Sequence, residues 1–410
     1  MPSRGRQTPQ AAPRPRRADR PAVGSGRLCR GHGGCGRAPR RAGCRVREGA
    51  GRRRGDRHAG DVGLFQHGRD RKCPCTCPCI RSGAMTPPGP SVLTLTMNPA
   101  VDLCWEVASL EDVGKNRARV RSVAAGGGGI NVARDVVRLG GRATAVHTAG
   151  GAIGRRLNRL LDDEGINHIS VGIDEETREA LVLYVAESRR SYHLVPPGPR
   201  LHVREGRRCL DVLAQAIGGC RYVVASGSLP DGLPGDFYAA VARRVKETGA
   251  RLVLDTSGPA LRGALAEGVF LLRCNQKEAA DLTGREVCDF DDARAVNEHL
   301  LTTGAAEIAV TALGALGALC STGQGHTELY APPLPGEPLS DAGAGDSMVA
   351  ALTTRLADGD DPVSACALGV AAAAASMLTP STEPFDRETV QSLRPGVRAR
   401  FQADAPRRSC

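Results

Sequence analysis

The stretch Asp341-Ala342-Gly343-Ala344-Gly345-Asp346-Ser347 leads directly into the apolar residues Met348–Leu356. Its two glycines allow a tight turn, and the spacing that follows is helical, so we expect a helix to begin here. Free N–H groups and the positive dipole end of a helix N-terminus attract an anion such as phosphate. The carboxylate of Asp346 repels an anion but suits a base that deprotonates a hydroxyl attacking phosphorus. The alternative is a glycine-rich turn in which Asp346 is only a helix cap.

Charge and cysteine are distributed unevenly along the 410 residues. Residues 1–84 hold 21 Lys and Arg against 5 Asp and Glu, a net charge of +16, whereas the remainder holds 34 against 39, a net charge of −5. Eight of the 15 cysteines are scattered singly after Met85, which is typical of a reducing cytoplasm rather than a disulfide framework. The longest apolar run, Ala365–Leu378, is too short to span a membrane and predicts a buried helix.

Residues 1–84 are rich in Arg, Gly and Pro and are predicted to be disordered. Nucleic-acid binding lacks aromatic support, because Phe65 is the only aromatic residue there, so no nucleic-acid partner is expected. Zinc binding is disfavoured by the alternate spacing of Cys73-Pro-Cys75-Thr-Cys77-Pro-Cys79, and a transit peptide by the scarcity of serine. Our preferred interpretation is that this segment is translated upstream DNA and that the working protein begins at Met85.

The rest of the sequence alternates strand-like and helix-like segments, which predicts an α/β fold with a mostly parallel sheet and helices on both faces. Short alternating runs near 103–123 and 181–195 lack crossover helices and predict a small separate sheet, a lid. We expect one domain over 85–395, followed by a C-terminal tail over 396–410. The predicted strands are 92–96, 143–148, 222–226, 251–255, 270–274 and 308–311, and the predicted helices are 130–139, 154–164, 236–247, 276–282, 291–302 and two after 343.

Polar turns follow several of the predicted strands, where open parallel sheets bind their ligands. The sequence contains neither a G-x-x-x-x-G-K-[ST] phosphate loop nor a G-x-G-x-x-G after the first strand, which argues against a Walker-type or dinucleotide site. The turns are Asn98–Asp102, Gly227-Ser228-Leu229-Pro230, Asp255-Thr256-Ser257-Gly258, Asn275–Glu278 and Gly343–Asp346.

A second glycine-rich stretch, Ala125-Gly126-Gly127-Gly128-Gly129-Ile130-Asn131-Val132-Ala133-Arg134, exposes backbone groups to a polar ligand such as a sugar. Together with Gly343–Asp346 it resembles the two signatures of the ribokinase-like (PfkB) carbohydrate kinases, over roughly residues 92–393. Within that family the chain is most similar to the type II bacterial 6-phosphofructokinases. Gly128 favours that branch, because 1-phosphofructokinases and tagatose-6-phosphate kinases usually carry Lys there. Further shared stretches are 140–145, 149–152, 227–230, 275–278 and 343–348.

The resemblance implies a role for each matching residue. Asp346 would be the catalytic base in the turn that begins at Gly343, and the N–H groups of Ala344 and Gly345 would hold the charge that develops on the γ-phosphoryl group. The residues implied to bind the sugar are Asp102, Gly127, Gly128, Asn131 and Ser228. Those implied to bind the nucleotide are Arg273, Asn275, Gly314 and Gly317, while Glu278 and Asn275 would hold Mg²⁺ through water. The alternative for Glu278 is an ordinary first-turn carboxylate stabilised by the helix dipole.

Two cations distinguish a sugar-phosphate kinase from a sugar kinase. Lys115 and Arg178 match positions that bind the phosphate of the substrate in the resembled enzymes, although either residue alone also fits a solvated surface charge. A charge-assisted hydrogen bond contributes roughly 1.5–3 kcal/mol, so two would discriminate about 10²- to 10⁴-fold against an unphosphorylated sugar.

The sequence departs from the family pattern at two places that concern ions. Arg273 stands where the family usually has Lys, which keeps the charge near the ATP phosphates but changes its shape. The loop Thr379-Pro380-Ser381-Thr382-Glu383 lacks a Gly-Thr-Arg-like sequence, so the sequence gives a K⁺ site little support.

We therefore expect a cytoplasmic kinase that uses ATP with Mg²⁺ and converts fructose 6-phosphate to fructose 1,6-bisphosphate. A homodimer through the lid sheet is implied by the resemblance, and no membrane partner is expected. A kinase for tagatose 6-phosphate or fructose 1-phosphate is the nearest alternative. A second alternative is a non-catalytic sugar-phosphate sensor. A third alternative is a nucleic-acid-binding protein in which the basic residues 1–84 bind the nucleic acid.

Overall fold

The computed structural model describes residues 91–380 and 383–402. The predictions for residues 1–84 lie outside them, and the loop 379–383 lies partly outside. The strands are β1 Ser91–Thr96, β2 Ala100–Val107, β3 Arg119–Gly126, β4 Arg142–Ala149, β5 His168–Gly172, β6 Arg178–Val185, β7 Arg190–Leu194, β8 Cys220–Ser226, β9 Arg251–Asp255, β10 Val269–Asn275, β11 Ala306–Ala312, β12 Gly317–Thr322, β13 Gly325–Tyr330 and β14 Arg398–Gln402. The α-helices are α1 Gly128–Arg138, α2 Gly151–Asp163, α3 Val203–Ala216, α4 Phe237–Glu247, α5 Gly258–Glu267, α6 Gln276–Thr283, α7 Phe290–Thr302, α8 Ala344–Asp358, α9 Pro362–Ser376 and α10 Arg387–Leu393.

The larger sheet has ten strands in the order β14-β13-β12-β11-β10-β9-β8-β1-β4-β5. The strands from β11 to β5 run parallel, and β12, β13 and β14 extend the sheet antiparallel at one edge. Central strands of a parallel sheet are covered on both faces and therefore consist of nearly continuous apolar residues. Accordingly, Val92, Leu93 and Leu95 of β1 are each only 1% exposed. The predicted mostly parallel α/β sheet is confirmed.

Two apolar cores lie on opposite faces of this sheet. Alternate residues of the strands face different cores, as Leu93 and Val92 do. Helices α3, α4, α5 and α7 contribute to the first core, and α1, α2, α8 and α9 contribute to the second. The apolar run predicted as a buried helix forms most of α9. Within the described residues, no helix is long and apolar enough to cross a membrane.

The predicted lid is a four-stranded sheet in the order β3-β2-β6-β7. Strands β2 and β6 pair in parallel, and the two outer pairs are antiparallel. The expected position of Asp102, in the turn after β1, is wrong, because β2 begins at Ala100. Asp102 is therefore the third residue of a lid strand rather than part of the turn that follows β1.

The predicted boundary between the domain and a C-terminal tail, at residue 395, is wrong, because Arg398–Gln402 form the edge strand β14. This strand has an almost fully exposed sequence, so it carries no apolar alternation that would have revealed it. It is tied to the neighbouring β13 by the buried carboxylate of Glu328, which accepts a hydrogen bond of 2.7 Å from Gln402 Nε2. Helices α3, α5 and α10 and strands β5, β12 and β13 were also not predicted.

Candidate active site

The carboxyl ends of three neighbouring parallel strands supply polar side chains to one edge of the sheet. Ser226 ends β8, Asp255 ends β9 and Asn275 ends β10. Helix α8 packs against α1 and carries Asp346 to the end of β8. Residues far apart in the sequence therefore meet where open parallel sheets bind ligands.

A helix begins at the glycine-rich turn, as predicted, because α8 starts at Ala344 directly after Gly343. Gly343 lies at φ 82°, in the left-handed region that glycine adopts without strain, and turns the chain into the helix. The N–H of Ala344 donates to the carbonyl oxygen of Asp341 at 3.3 Å, so its predicted role as a free phosphate donor is not supported. The N–H groups of Gly345 and Asp346 have no acceptor among the described residues, as expected for the first turn of a helix.

The carboxylate of Asp346 is held by two hydrogen bonds from different elements. Asn131 Nδ2 on α1 donates to Oδ2 at 2.9 Å, and Ser226 Oγ on β8 donates to Oδ1 at 3.1 Å. Burial raises the pKa of Asp346 to about 7, and the charges of Asp255 and Asp135 act in the same direction, whereas the two hydrogen bonds lower it. A base whose pKa lies near neutrality is well matched to proton transfer at neutral pH.

Arg273 lies beside this turn. Its Nη1 is 3.3 Å from Asp255 Oδ1, and a methyl group placed on Gly345 would lie only 2.6 Å from Nη1. Burial alone would lower the pKa of the guanidinium, but Asp255 and Glu278 raise it above its ordinary value, so the side chain stays charged. A fixed cation therefore lies against the N-terminus of α8.

The glycine-rich stretch brings α1 close to β1 and β8. Gly127 lies at φ 116°, and a side chain there would meet Thr96 Cγ2 at 2.7 Å. A Cβ atom at Gly128 would lie 2.2 Å from Ser226 Oγ, so packing against β8 requires glycine at this position. At least part of the glycine pattern therefore serves close packing.

Asp102 lies against the glycine-rich stretch, since a Cβ atom at Gly126 would lie 2.0 Å from its Oδ2. Burial raises the pKa of Asp102 to about 6, and the charges of Arg134 and Arg178 lower it. Asn131 was expected to contact the sugar through its amide. Both ends of this amide are already engaged, since Nδ2 donates to Asp346 and Oδ1 accepts from Arg134 Nη1 at 2.9 Å.

The two cations predicted to bind the phosphate of the substrate lie on different elements, Arg178 at the start of β6 and Lys115 between β2 and β3. The guanidinium of Arg178 donates to the carbonyl oxygens of Asn98 at 3.0 Å and Pro196 at 3.2 Å, and its buried Nε has no partner in the described chain. The side chain of Lys115 is exposed. Ser228 Oγ accepts a hydrogen bond of 3.2 Å from Asn98 Nδ2, next to the end of β8.

The residues predicted for nucleotide and metal binding make local contacts at two turns. Asn275 and Glu278 form a capping box at the start of α6, in which the Glu278 N–H donates to Asn275 Oδ1 at 2.9 Å and the Asn275 N–H donates to Glu278 Oε2 at 2.8 Å. The contacts of Glu278 are therefore those of the alternative interpretation, an ordinary carboxylate in the first turn of a helix. Gly314 is the first residue of a short 3₁₀ turn after β11, Gly317 directly follows the turn, and both have positive φ.

Comparison with known proteins decides the family. Residues 95–388 match the pfkB family of carbohydrate kinases. The chain belongs to this family. The turn at Gly343–Asp346 and the glycine-rich stretch at Gly126–Arg134 both lie within the matched residues.

Individual members of the pfkB family are similar to this chain in sequence and in structure. An ATP-dependent 6-phosphofructokinase isozyme 2 of Mycobacterium tuberculosis is 39% identical over 302 residues, which are 74% of this chain and 88% of that protein. Phosphofructokinase-2 of Escherichia coli is 35% identical in sequence. Its crystal structure in complex with potassium matches this chain with a TM-score of 0.71, and its crystal structure in complex with fructose-6-phosphate matches with a TM-score of 0.69. Each match covers 74% of this chain and 98% of the other chain.

Two polar residues of the site were given no role by the sequence: Ser226 was not named in a polar turn, and Asp255 was named only as the start of one. Ser226 contacts Asp346, and Asp255 pairs with Arg273. A signal existed for both, because each ends a predicted strand at the edge where ligands bind. Their partners lie 120 and 18 residues away, so the contacts themselves could not be read from spacing.

The raised pKa of Asp346 predicts a pH dependence. The carboxyl must be ionised to accept a proton, so kcat/KM should fall about tenfold per pH unit below about pH 7. Initial rates between pH 5 and 9, with saturating ATP and limiting sugar phosphate, measure this limb. A rate that stays constant down to pH 5 would contradict the assignment of Asp346 as the base.

Proposed function

We propose that this pfkB kinase is a cytoplasmic ATP-dependent 6-phosphofructokinase, which transfers the γ-phosphoryl group of ATP to the free primary hydroxyl of fructose 6-phosphate. The observation that carries the proposal is the Asp346 carboxylate, fixed by Asn131 and Ser226 at the free N-terminus of α8. The names of the relatives supply the substrate, since the proteins of M. tuberculosis and E. coli that are 39% and 35% identical are each an ATP-dependent 6-phosphofructokinase.

The proposed reaction is an in-line displacement at the γ-phosphorus. Asp346 takes the proton of the sugar hydroxyl, whose oxygen forms a bond to phosphorus while the bond to the bridging oxygen of ADP breaks. The N–H groups of Gly345 and Asp346 and the guanidinium of Arg273 would stabilise the charge on the transferred group. These donors are fixed before the reaction, so little reorganisation is needed when the charge develops.

Mg²⁺ bound with ATP would neutralise phosphate charge. Among the described residues, no group of three or more His, Cys, Asp or Glu side chains is placed to hold a metal ion. Glu278 uses Oε2 in the capping box, which leaves Oε1 for a water-mediated contact beside Asn275. This single carboxylate fits Mg²⁺, which keeps several waters and binds mainly to substrate phosphates.

The phosphate of the sugar would be recognised by Arg178 and Lys115. Arg178 is already anchored beside Asp102 through the carbonyl oxygen of Asn98, and its buried Nε keeps one donor unused within the described chain. Lys115 would approach only when the exposed loop between β2 and β3 folds over the bound sugar. The binding of the substrate would thus bring Arg178 and Lys115 to the same phosphate group.

This proposal predicts strong selectivity for a phosphorylated sugar. Catalytic efficiency for fructose 6-phosphate should exceed that for fructose by about 10²- to 10⁴-fold, because two charge-assisted contacts are lost with fructose. The Lys115→Met variant should reduce efficiency for fructose 6-phosphate about tenfold or more and leave that for fructose unchanged. A coupled assay of ADP release measures both rates.

Lys246→Met is the matched control, since Lys246 lies on α4 and bonds the carbonyl oxygen of Glu267. Equal efficiency on both sugars in the wild-type enzyme would contradict the proposal. Higher efficiency on tagatose 6-phosphate or fructose 1-phosphate would replace the substrate within the same chemistry. Binding of a sugar phosphate without turnover would favour a sensor.

We further propose that the lid pairs two copies of the chain. One row of apolar side chains crosses the lid, because Val120 pairs with Trp105, Trp105 with Leu183 and Leu183 with Tyr192. Paired residues share a face, and strand alternation puts this row opposite Asp102. Val120 is 61% exposed and Tyr192 is 43% exposed, so the row offers an uncovered apolar surface.

A charge in the middle of this row should separate the copies. Trp105→Lys is expected to weaken association by about 30-fold, because a central aromatic residue commonly dominates such an interface. Light scattering after size-exclusion chromatography measures the mass of wild-type and variant proteins. Val203→Lys, an exposed apolar residue on α3, is the control. A wild-type monomer, or a Trp105→Lys dimer of unchanged affinity, would contradict lid pairing.

A further inference from the structure

We propose that Ser226 is a positioning residue for phosphoryl transfer, whose hydroxyl group holds the Asp346 carboxylate in the orientation that receives the proton of the sugar. The inference rests on the proposed kinase function and assigns a role to a residue next to the reacting groups. It is carried by three observations: the hydrogen bond itself, the rigidity of Ser226, and the charges that surround Asp346.

The hydrogen bonds restrain the carboxylate from two sides. Ser226 Oγ lies 3.1 Å from Asp346 Oδ1, and Asn131 Nδ2 lies 2.9 Å from Oδ2. Each oxygen thus has one donor from a different element, β8 or α1, and rotation of the carboxylate would break both bonds. A carboxylate oxygen accepts two hydrogen bonds, so each oxygen keeps one lone pair for a substrate hydroxyl.

Ser226 itself is held firmly. It is 1% exposed and ends a central strand, where it pairs with Asp255 of β9. The backbone of Gly128 packs on its hydroxyl, since a Cβ atom at 128 would lie 2.2 Å from Oγ and 3.0 Å from the nitrogen of Gly227. The hydroxyl therefore has little room to move away from Asp346. This close contact explains why residue 128 is glycine, and the explanation does not depend on which sugar binds.

The surrounding charges make the hydrogen bond important. Asp255 on β9 and Asp135 on α1 disfavour ionisation of Asp346, as does burial. Arg273 on β10 lies against the neighbouring Gly345 but is paired with Asp255. The hydrogen bonds from Ser226 and Asn131 favour the ionised carboxylate. Loss of the hydroxyl should therefore both loosen the base and keep it protonated to higher pH.

The Ser226→Ala variant tests the proposal. We expect kcat to fall about 10- to 100-fold with KM for the sugar phosphate nearly unchanged, and the acid limb of kcat to move up by about one pH unit, as expected for loss of a hydrogen bond to a charged group. Ser226→Thr keeps the hydroxyl and should restore the limb to its wild-type position.

Thr94→Val is the matched control. Thr94 lies on β1 beside β8, and its buried hydroxyl has no partner within the described chain, so its loss should leave kcat and the acid limb unchanged. A Ser226→Ala enzyme with reduced kcat but an unmoved acid limb would show a packing role only and overturn the proposal. A fully active Ser226→Ala enzyme would overturn it as well.

A measurement without substrate separates this proposal from the proposed function. The carboxyl carbon of Asp346, labelled with ¹³C and assigned by comparison with Asp346→Asn, can be titrated by NMR in the unliganded protein. The midpoint should be higher in Ser226→Ala than in the wild type, and an identical midpoint would overturn the positioning role. A wild-type protein that phosphorylates no sugar phosphate would remove the kinase proposal but leave this titration interpretable.

Discussion

The site depends on the balance of interactions that sets the charge of Asp346, a carboxylate in the first turn of α8. Burial and two neighbouring carboxylates work against the charge of Asp346, while Asn131 and Ser226 support it. The balance leaves its pKa near neutrality. The carboxylate can therefore be ionised at neutral pH and can take the proton of a hydroxyl group that attacks phosphorus.

The fold supplies this arrangement through the edge of its parallel sheet. Strand β8 brings Ser226, helix α1 brings Asn131, and helix α8 brings the base itself. Helices α1 and α8 pack on the same face of the sheet, and hydrogen bonds join Asn131 and Ser226 to Asp346, so the three groups are held together without a ligand. The lid sheet, which begins only three residues after β1, carries Asp102 towards the same place.

The sequence predicted the parts of the structure that have strong local patterns. The turn at Gly343, the glycine-rich start of α1 and the alternating strands all carry their own signal, and the structure contains each of them. The contacts between side chains were not predictable in this way, because Asn131 and Asp346 are 215 residues apart. Edge strand β14 was missed because its residues face solvent, and the capping box of Glu278 has the same spacing as a metal site.

The most direct test of the account is the turnover of Asp346→Asn measured together with its affinity for fructose 6-phosphate and ATP. The amide keeps the size of the side chain but cannot accept the proton, so kcat should fall about 10²- to 10⁴-fold while both affinities stay within a few-fold of wild type. Asp358→Asn, at the opposite end of α8, should retain full turnover. Near-full turnover of Asp346→Asn would contradict the account.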